Sequence, residues 1–145
     1  MFNIALMCTC HNRYKLTKRS FNSIKNTLKN SNMVNKFHFF ALDDCSSDQT
    51  YNFLANFQNT TVIKSDKNLY WAGGMHYCFN HFYTELIKYD IFIAFNDDIK
   101  LNIKNINRLL EKYNTLLYDK KKFILSVPCF YKDKITYSGS KFKIL

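Results

Sequence analysis

Two adjacent carboxylates, Asp97 and Asp98, follow the apolar run Ile91-Phe92-Ile93-Ala94-Phe95 with Asn96 between. The run is short, β-branched and aromatic, which predicts a strand buried on both faces. Open parallel sheets bind ligands at the carboxyl ends of their strands, and the carboxylates would sit there. Two neighbouring carboxylates repel each other and need a cation or hydrogen bonds to stay ionised. An oxygen-preferring divalent cation meets that need, held by one or two carboxylates together with substrate phosphates. The organising hypothesis is a metal–phosphate site at Asp97 and Asp98. Its rival is an Asp pair that simply caps the next helix.

The elements that must position this pair follow from the apolar pattern. Ile4 to Cys8 reads as a first buried strand, followed by the polar segment Thr9-Cys10-His11-Asn12-Arg13. Leu16, Phe21, Ile24 and Leu28 recur at helical spacing, so Leu16 to Asn30 predicts an amphipathic helix. Phe37 to Leu42 reads as a second strand, ending in Asp43-Asp44-Cys45-Ser46-Ser47-Asp48. Ser46 with Gln49 fits a capping box, and Tyr51, Leu54 and Phe57 supply the next helix with an apolar side. Thr61 to Lys64 is a short third strand. Asn68-Leu69-Tyr70-Trp71-Ala72-Gly73-Gly74-Met75 then precedes a helix running to about Lys88. A glycine pair at a helix N-terminus lets backbone N–H groups approach an anion. After the Asp pair, Ile103, Ile106, Leu110, Tyr113 and Leu117 mark another helix, with Tyr113, Leu116 and Leu117 as core stripe. Phe123 to Phe130, interrupted by Pro128, reads as a fifth strand, and Lys132 to Leu145 as a turn with short strands. Strands alternating with helices imply crossover units and a mostly parallel sheet. One domain, 1–145, is expected, without repeat or linker.

Composition narrows the function classes. The 145 residues suffice for a real core, and fourteen Phe and ten Tyr against three Gly and one Pro are globular usage. The net charge of +10 comes mostly from Lys spread along the chain, which argues against a nucleic-acid patch and fits compositional bias. A basic surface also suits acidic lipids at the inner face of a membrane. Lys120-Lys121-Lys122 is the dense cluster, read as a solvated turn. The five Cys form no disulfide or Cys-x-x-Cys pattern, so reduced thiols and a cytoplasmic setting fit best. No signal peptide and no run near the ~20 residues of a membrane span is visible. Asn59-Thr60-Thr61 matches a glycosylation acceptor, a pattern with no weight outside a secretory context.

In a parallel sheet with crossover helices, the loops after the first, second and fourth strands share one edge. Thr9, His11, Asn12, Asp43, Asp44, Asp97 and Asp98 therefore converge, joined by Gly73 and Gly74. Thr9-Cys10-His11-Asn12-Arg13, Asp43-Asp44-Cys45-Ser46-Ser47-Asp48-Gln49-Thr50 and Asn96-Asp97-Asp98 resemble the successive donor-site motifs of family 2 glycosyltransferases. Asn68 to Met75 resembles the loop after the third strand in a bacterial branch of that family. The resemblance covers nearly the whole chain, in order and spacing. It implies an α/β, GT-A/Rossmann-like, mostly parallel sheet flanked by helices and cut short at the C-terminus. Three positions depart from the family pattern: Asn96 stands where the DXD-like motif begins with Asp, Cys45 replaces a common Gly, and Tyr70 stands where many members carry Gly.

The resemblance also implies roles. Thr9 and Asp44 would contact the nucleotide base, Asp44 accepting the N3–H of a uracil or thymine, with Asp43 supporting that loop. His11, Asn12, Asn68, Trp71, Gly73 and Gly74 would line the donor site. Asp97 would lie near the ribose or donor sugar, and Asp98 would bind Mg²⁺ or Mn²⁺ bridging the diphosphate. The implied reaction is inverting transfer from a UDP- or dTDP-sugar to a glycan or lipid-linked acceptor. A metal neutralises the departing diphosphate, and a general base deprotonates the acceptor hydroxyl. After Asp98 the acidic residues are Glu111, Asp119 and Asp133. Glu111 falls within a predicted helix and the others in Lys-rich turns, so the chain reads as the donor-binding half. One alternative is a non-catalytic nucleotide-binding module on the same fold. A nucleotidyltransferase would want a glycine-rich loop after the first strand, and a basic nucleic-acid binder would bind oligonucleotides without metal.

His38, His76, His81, Ser138 and Ser140 are assigned no chemistry. His76 and His81 are five apart and do not face each other as an i, i+4 metal pair would. His38 lies in an apolar run, as a satisfied core or edge histidine. Trp71 serves equally as a stacking platform or a core anchor. Ser138 and Ser140 flank Gly139 in a turn with no nearby base.

Overall fold

The computed structural model describes residues 1–118, 125, 129–131 and 134–137. Its elements, in chain order, are β1 (Phe2–Cys10), α1 (Tyr14–Lys29), β2 (Val34–Asp43), α2 (Thr50–Ala55) and β3 (Thr60–Lys64). Then come α3 (Tyr70–Leu86), β4 (Ile91–Ala94), α4 (Ile103–Tyr118), β5 (Cys129–Tyr131) and β6 (Lys134–Tyr137). The chain forms two compact units, Met1–Ile103 and Lys104–Leu145.

In the first unit four strands pair in the order β3-β2-β1-β4, and every pairing is parallel. This is the mostly parallel α/β sheet that the alternation of elements predicted, in the Rossmann-like form that the resemblance implied. β1 is central, which is why Ile4, Ala5, Leu6, Met7 and Cys8 are buried without a break. On one face Ala5, Met7, Phe40 and Leu42 pack with Met75, Cys78, Phe82 and Leu86 of α3. On the other face aromatics interlock. Phe21 of α1 stacks on Phe39 of β2 at 4.6 Å, with Phe57 and Phe95 at 5.4 and 5.8 Å from it.

The structure revises several sequence expectations. β1 and β2 run further than the apolar runs, to Cys10 and Asp43. β4 is not buried on both faces: among the described residues it is the last strand of the sheet, and Phe92 and Ala94 are exposed. An apolar run of that length does not distinguish a central strand from an edge strand. The buried stripe of α1 is Thr17, Ser20, Phe21, Ile24 and Leu28, whereas Leu16 is exposed. The Ser46–Gln49 capping box does not form. The Ser46 hydroxyl instead accepts from Asn12 N, and Asp48 Oδ1 accepts from Thr50 N at the start of α2. Gly73 and Gly74 lie within α3 rather than ahead of it.

In the second unit α4 buries Ile106 and Leu110, Tyr113 and Leu116 are half-buried, and Leu117 is exposed, so the core stripe stops short of it. β5 and β6 pair antiparallel. Most of the expected fifth strand, Pro128, Lys120-Lys121-Lys122, Asp119, Asp133, Ser138 and Ser140 lie outside the described residues. Among those described, no helix is long and apolar enough to cross a membrane.

Candidate functional site

Parallel strands deliver their following loops to one edge, and hydrogen bonds tie those loops together there. Asp44 N donates to Cys10 O at 2.8 Å, Ser65 N to Asp43 O at 3.0 Å, and Phe95 N to Met7 O at 3.0 Å.

The loop after β1 is organised by Asn12. Its φ of 49° is left-handed, a conformation Asn tolerates better than most residues. That turn aims its Oδ1 at three donors, Ser47 N, Ser47 Oγ and Asp48 N, at 2.8, 3.1 and 3.3 Å. His11 Nδ1 meets the Asp44 carbonyl, and Asn12 Nδ2 lies 3.2 Å from His11 Nε2. A carbonyl only accepts, so Nδ1 carries the proton and Nε2 accepts. His11 and Asn12 thus fasten the first loop to the second.

The loop after β2 carries two buried carboxylates. Asp43 Oδ2 accepts from Ser46 N at 3.1 Å, while its Oδ1 is buried with no partner among the described residues. Asp44 Oδ1 accepts from Ser65 Oγ at 2.9 Å and from Leu69 N at 2.7 Å, which links this loop to the start of α3. Cys45 and Tyr70, the two positions where the family pattern favours Gly, have φ of 59° and 58°. Both adopt the left-handed conformation that glycine occupies without strain. A glycine at either position would take this backbone shape without strain, and this chain holds it with Cys and Tyr. Asn68 Oδ1 accepts from Tyr70 N at 2.9 Å and holds the strained entry to α3.

At the head of α3, Tyr70 and Trp71 are exposed, so Trp71 is not a core anchor. Gly73 has ordinary room. Gly74 does not: a Cβ there would stand 2.4 Å from Thr9 Oγ1 and 3.1 Å from Leu42 Cδ2. Gly74 lets the helix close onto the end of β1, a packing role. Thr9 Oγ1 is buried with no partner among the described residues.

The third loop brings Asp97 and Asp98 to the first. Asp97 is buried; its Oδ2 accepts from Thr17 Oγ1 at 2.9 Å and its Oδ1 lies 3.5 Å from Arg13 Nη1. Asp98 is more open, with Oδ2 3.2 Å from the same Nη1. Burial pushes the Asp97 carboxyl above the usual carboxylate range, against the pull of the Thr17 hydroxyl and Arg13, while Asp98 adds to the rise. Sequence reasoning gave Arg13 and Thr17 no role. Thr17 had a signal, a polar residue on the buried stripe of an amphipathic helix. Arg13 had one too, a lone guanidinium in the first loop. Ser65 and Asp48, which bind across loops, carried none.

Beneath the site lie Cys8 and Cys10, buried on one side of β1 with sulfurs 3.7 Å apart. Burial raises the Cys8 thiol well above its usual value and the Cys78 thiol to about 12. His38 Nε2 pairs with Thr61 Oγ1 at 2.8 Å, the satisfied histidine expected there. His76 meets Asn80, and His81 stacks beside Tyr77 and meets Phe82 edge-on. Among the described residues, no group of three or more His, Cys, Asp or Glu is placed to hold a metal ion by itself.

No curated protein matches the sequence. Several solved structures match the fold, two of them of S. aureus TarS. S. aureus TarS 1-349 aligns with a TM-score of 0.59 at 16% identity, covering 79% of this chain and 33% of that one. A second S. aureus TarS structure aligns at 0.56 with 18% identity, covering 79% and 20%. The chain therefore spans about a third or less of these two structures. The model of the family described as "Glycosyl transferase family 2" matches residues 6–120, which include all three loops of the site. With that match over most of its length, the chain belongs to glycosyl transferase family 2.

Proposed function

We propose that this chain is the donor-binding part of an inverting glycosyltransferase, taking a nucleotide-diphosphate sugar with a divalent cation at the loop edge. The observation that carries this reading is the Asp97–Asp98 pair. One carboxylate is buried and anchored by Thr17, its neighbour is open, and both are within reach of the loop after β1. Mg²⁺ or Mn²⁺ is commonly held by one or two carboxylates and completed by phosphate oxygens and water. A site with one accessible carboxylate fits that donor set, and a cage of three protein ligands is not needed. Asp98 would hold the cation, which when bound neutralises charge on the leaving diphosphate. Asp97, fixed by Thr17, would face the ribose or the sugar. Asp44, oriented by Ser65 and the Leu69 N–H, would meet the base together with Thr9. The exposed rings of Tyr70 and Trp71 offer an apolar surface beside Gly73 for the donor. The acceptor would be a glycan or lipid-linked hydroxyl, deprotonated by a base from beyond these loops.

Calorimetric titration of UDP, with and without Mn²⁺, into the chain and its Asp98→Asn variant tests this. The expected result is Mn²⁺-dependent binding that Asp98→Asn weakens strongly. Metal-independent binding of equal strength in both proteins would remove Asp98 from the cation site. No binding of UDP or dTDP to the folded chain would overturn the donor-site reading.

A further inference from the structure

We propose that Arg13 is the stand-in cation of the Asp97–Asp98 pair, and that it releases Asp98 and turns to the donor's diphosphate when cation and nucleotide bind. This inference rests on the donor-site reading.

A buried carboxylate beside a second carboxylate is costly unless paired. Here the Arg13 guanidinium meets both, and it does so through one nitrogen, Nη1, at 3.5 Å from Asp97 Oδ1 and 3.2 Å from Asp98 Oδ2. A fork–fork pairing would use two nitrogens and is the strong form of this contact. The single-nitrogen form is weaker and easier to exchange. The two ends of the contact also differ. The Asp97 side chain is 6% exposed and is held independently by Thr17. Those of Asp98 and Arg13 are 42% and 52% exposed, so water screens that half of the pair. Arg13 has a fixed base and a mobile end. Its N–H donates to Thr50 Oγ1, Asn12 before it is clamped by three donors, and Tyr14 N after it donates to Asp48 Oδ2. With the backbone held, a change of partner falls to the half-exposed side chain.

The charges then dictate an exchange. A divalent cation competes with the guanidinium for the open carboxylate of Asp98, because like charges a few Å apart repel. The screened contact of Arg13 with Asp98 is the one that yields when a cation takes that carboxylate. The diphosphate arriving with that cation is the natural next partner for a planar fork of N–H donors. Arg13 so covers the site's negative charge while it is empty, and contributes phosphate affinity once it is filled.

The test compares wild type with Arg13→Gln and Arg13→Lys in two measurements. The first is Mn²⁺ affinity of the nucleotide-free protein, read by electron paramagnetic resonance. The second is the preference for UDP over uridine at saturating Mn²⁺. Arg13→Gln is expected to tighten Mn²⁺ about two- to fivefold, the worth of a screened ion pair. The same variant should cut the UDP preference on the order of tenfold, as loss of a charged hydrogen bond does. Arg13→Lys, a point charge without the fork, should restore part of that preference. If Arg13→Gln leaves Mn²⁺ affinity and the UDP preference unchanged while Asp98→Asn abolishes UDP binding, Arg13 is a loop strut; the exchange is then wrong and the donor site stands. If wild type binds neither Mn²⁺ nor UDP, both fall together.

Discussion

Asp97 keeps its carboxyl buried at the end of a sheet, and the consequence is a defined pH signature. Burial favours the neutral form, so the folded protein holds the Asp97 proton more tightly than the unfolded chain does. Its stabilising contribution is full below the ordinary carboxylate value of 3.8 and is lost as pH rises through the raised folded value. Asp97→Asn removes that loss, so the variant should gain stability relative to wild type between acid and neutral pH. Denaturant titrations across that range check it, and a pH-independent gap would refute it. Gly74 carries a second single-residue prediction. Gly74→Ala puts a methyl 2.4 Å from Thr9 Oγ1, and overpacking outweighs the helix propensity of Ala, for a net loss of about 1–2 kcal/mol. At this scale the sequence was informative about identity and less so about cause. The Asp pair, the second loop and Gly74 were visible as a constellation, yet the close packing that Gly74 permits against Thr9 was not. Arg13 and Thr17 were passed over because their roles depend on partners 85 and 80 residues away, which spacing along the chain does not reveal.

Asp48 matters at the level of whole elements. One oxygen of its carboxylate accepts from Tyr14 N and the other from Thr50 N, the first residues of α1 and α2. Two helix starts thus share one cap, and the negative charge suits both dipoles. Burial works slightly against the charge, but the bonds from Thr50 and Tyr14 hold Asp48 below its usual pKa. Its contribution is therefore present at neutral pH and lost as pH falls through that depressed value. Asp48→Ala should cost about 1 kcal/mol at neutral pH, with the deficit shrinking toward acid, as thermal melts at several pH values would show. The sequence pointed to a cap in this loop but to the wrong residue. Ser46-x-x-Gln49 has the pattern, and Asp48 has the geometry because Asn12 and Asp43 engage Ser46 first. Strand and helix order was legible from periodicity alone. The exposure of β4 was not, since an apolar run reports hydrophobicity and not the number of neighbours a strand has.

For the molecule as a whole, the parallel order β3-β2-β1-β4 makes the site an edge where separate loops meet. A ligand that bridges those loops stabilises the entire first unit by mass action. UDP with Mn²⁺ at about a hundred times its Kd should add about 2.7 kcal/mol, raising Tm by on the order of 10 °C for a chain of this size. Chelation should erase the shift, and uridine should give less of it. The α/β architecture was legible because alternating strand and helix patterns leave few topologies open. The reactivity of the thiols follows from the same architecture. Cys8, Cys10 and Cys78 are buried, while Cys45 is exposed directly beside Asp44. Among these four, an alkylating fluorophore under native conditions will therefore mark Cys45, placing an optical reporter next to the carboxylate proposed to meet the nucleotide base.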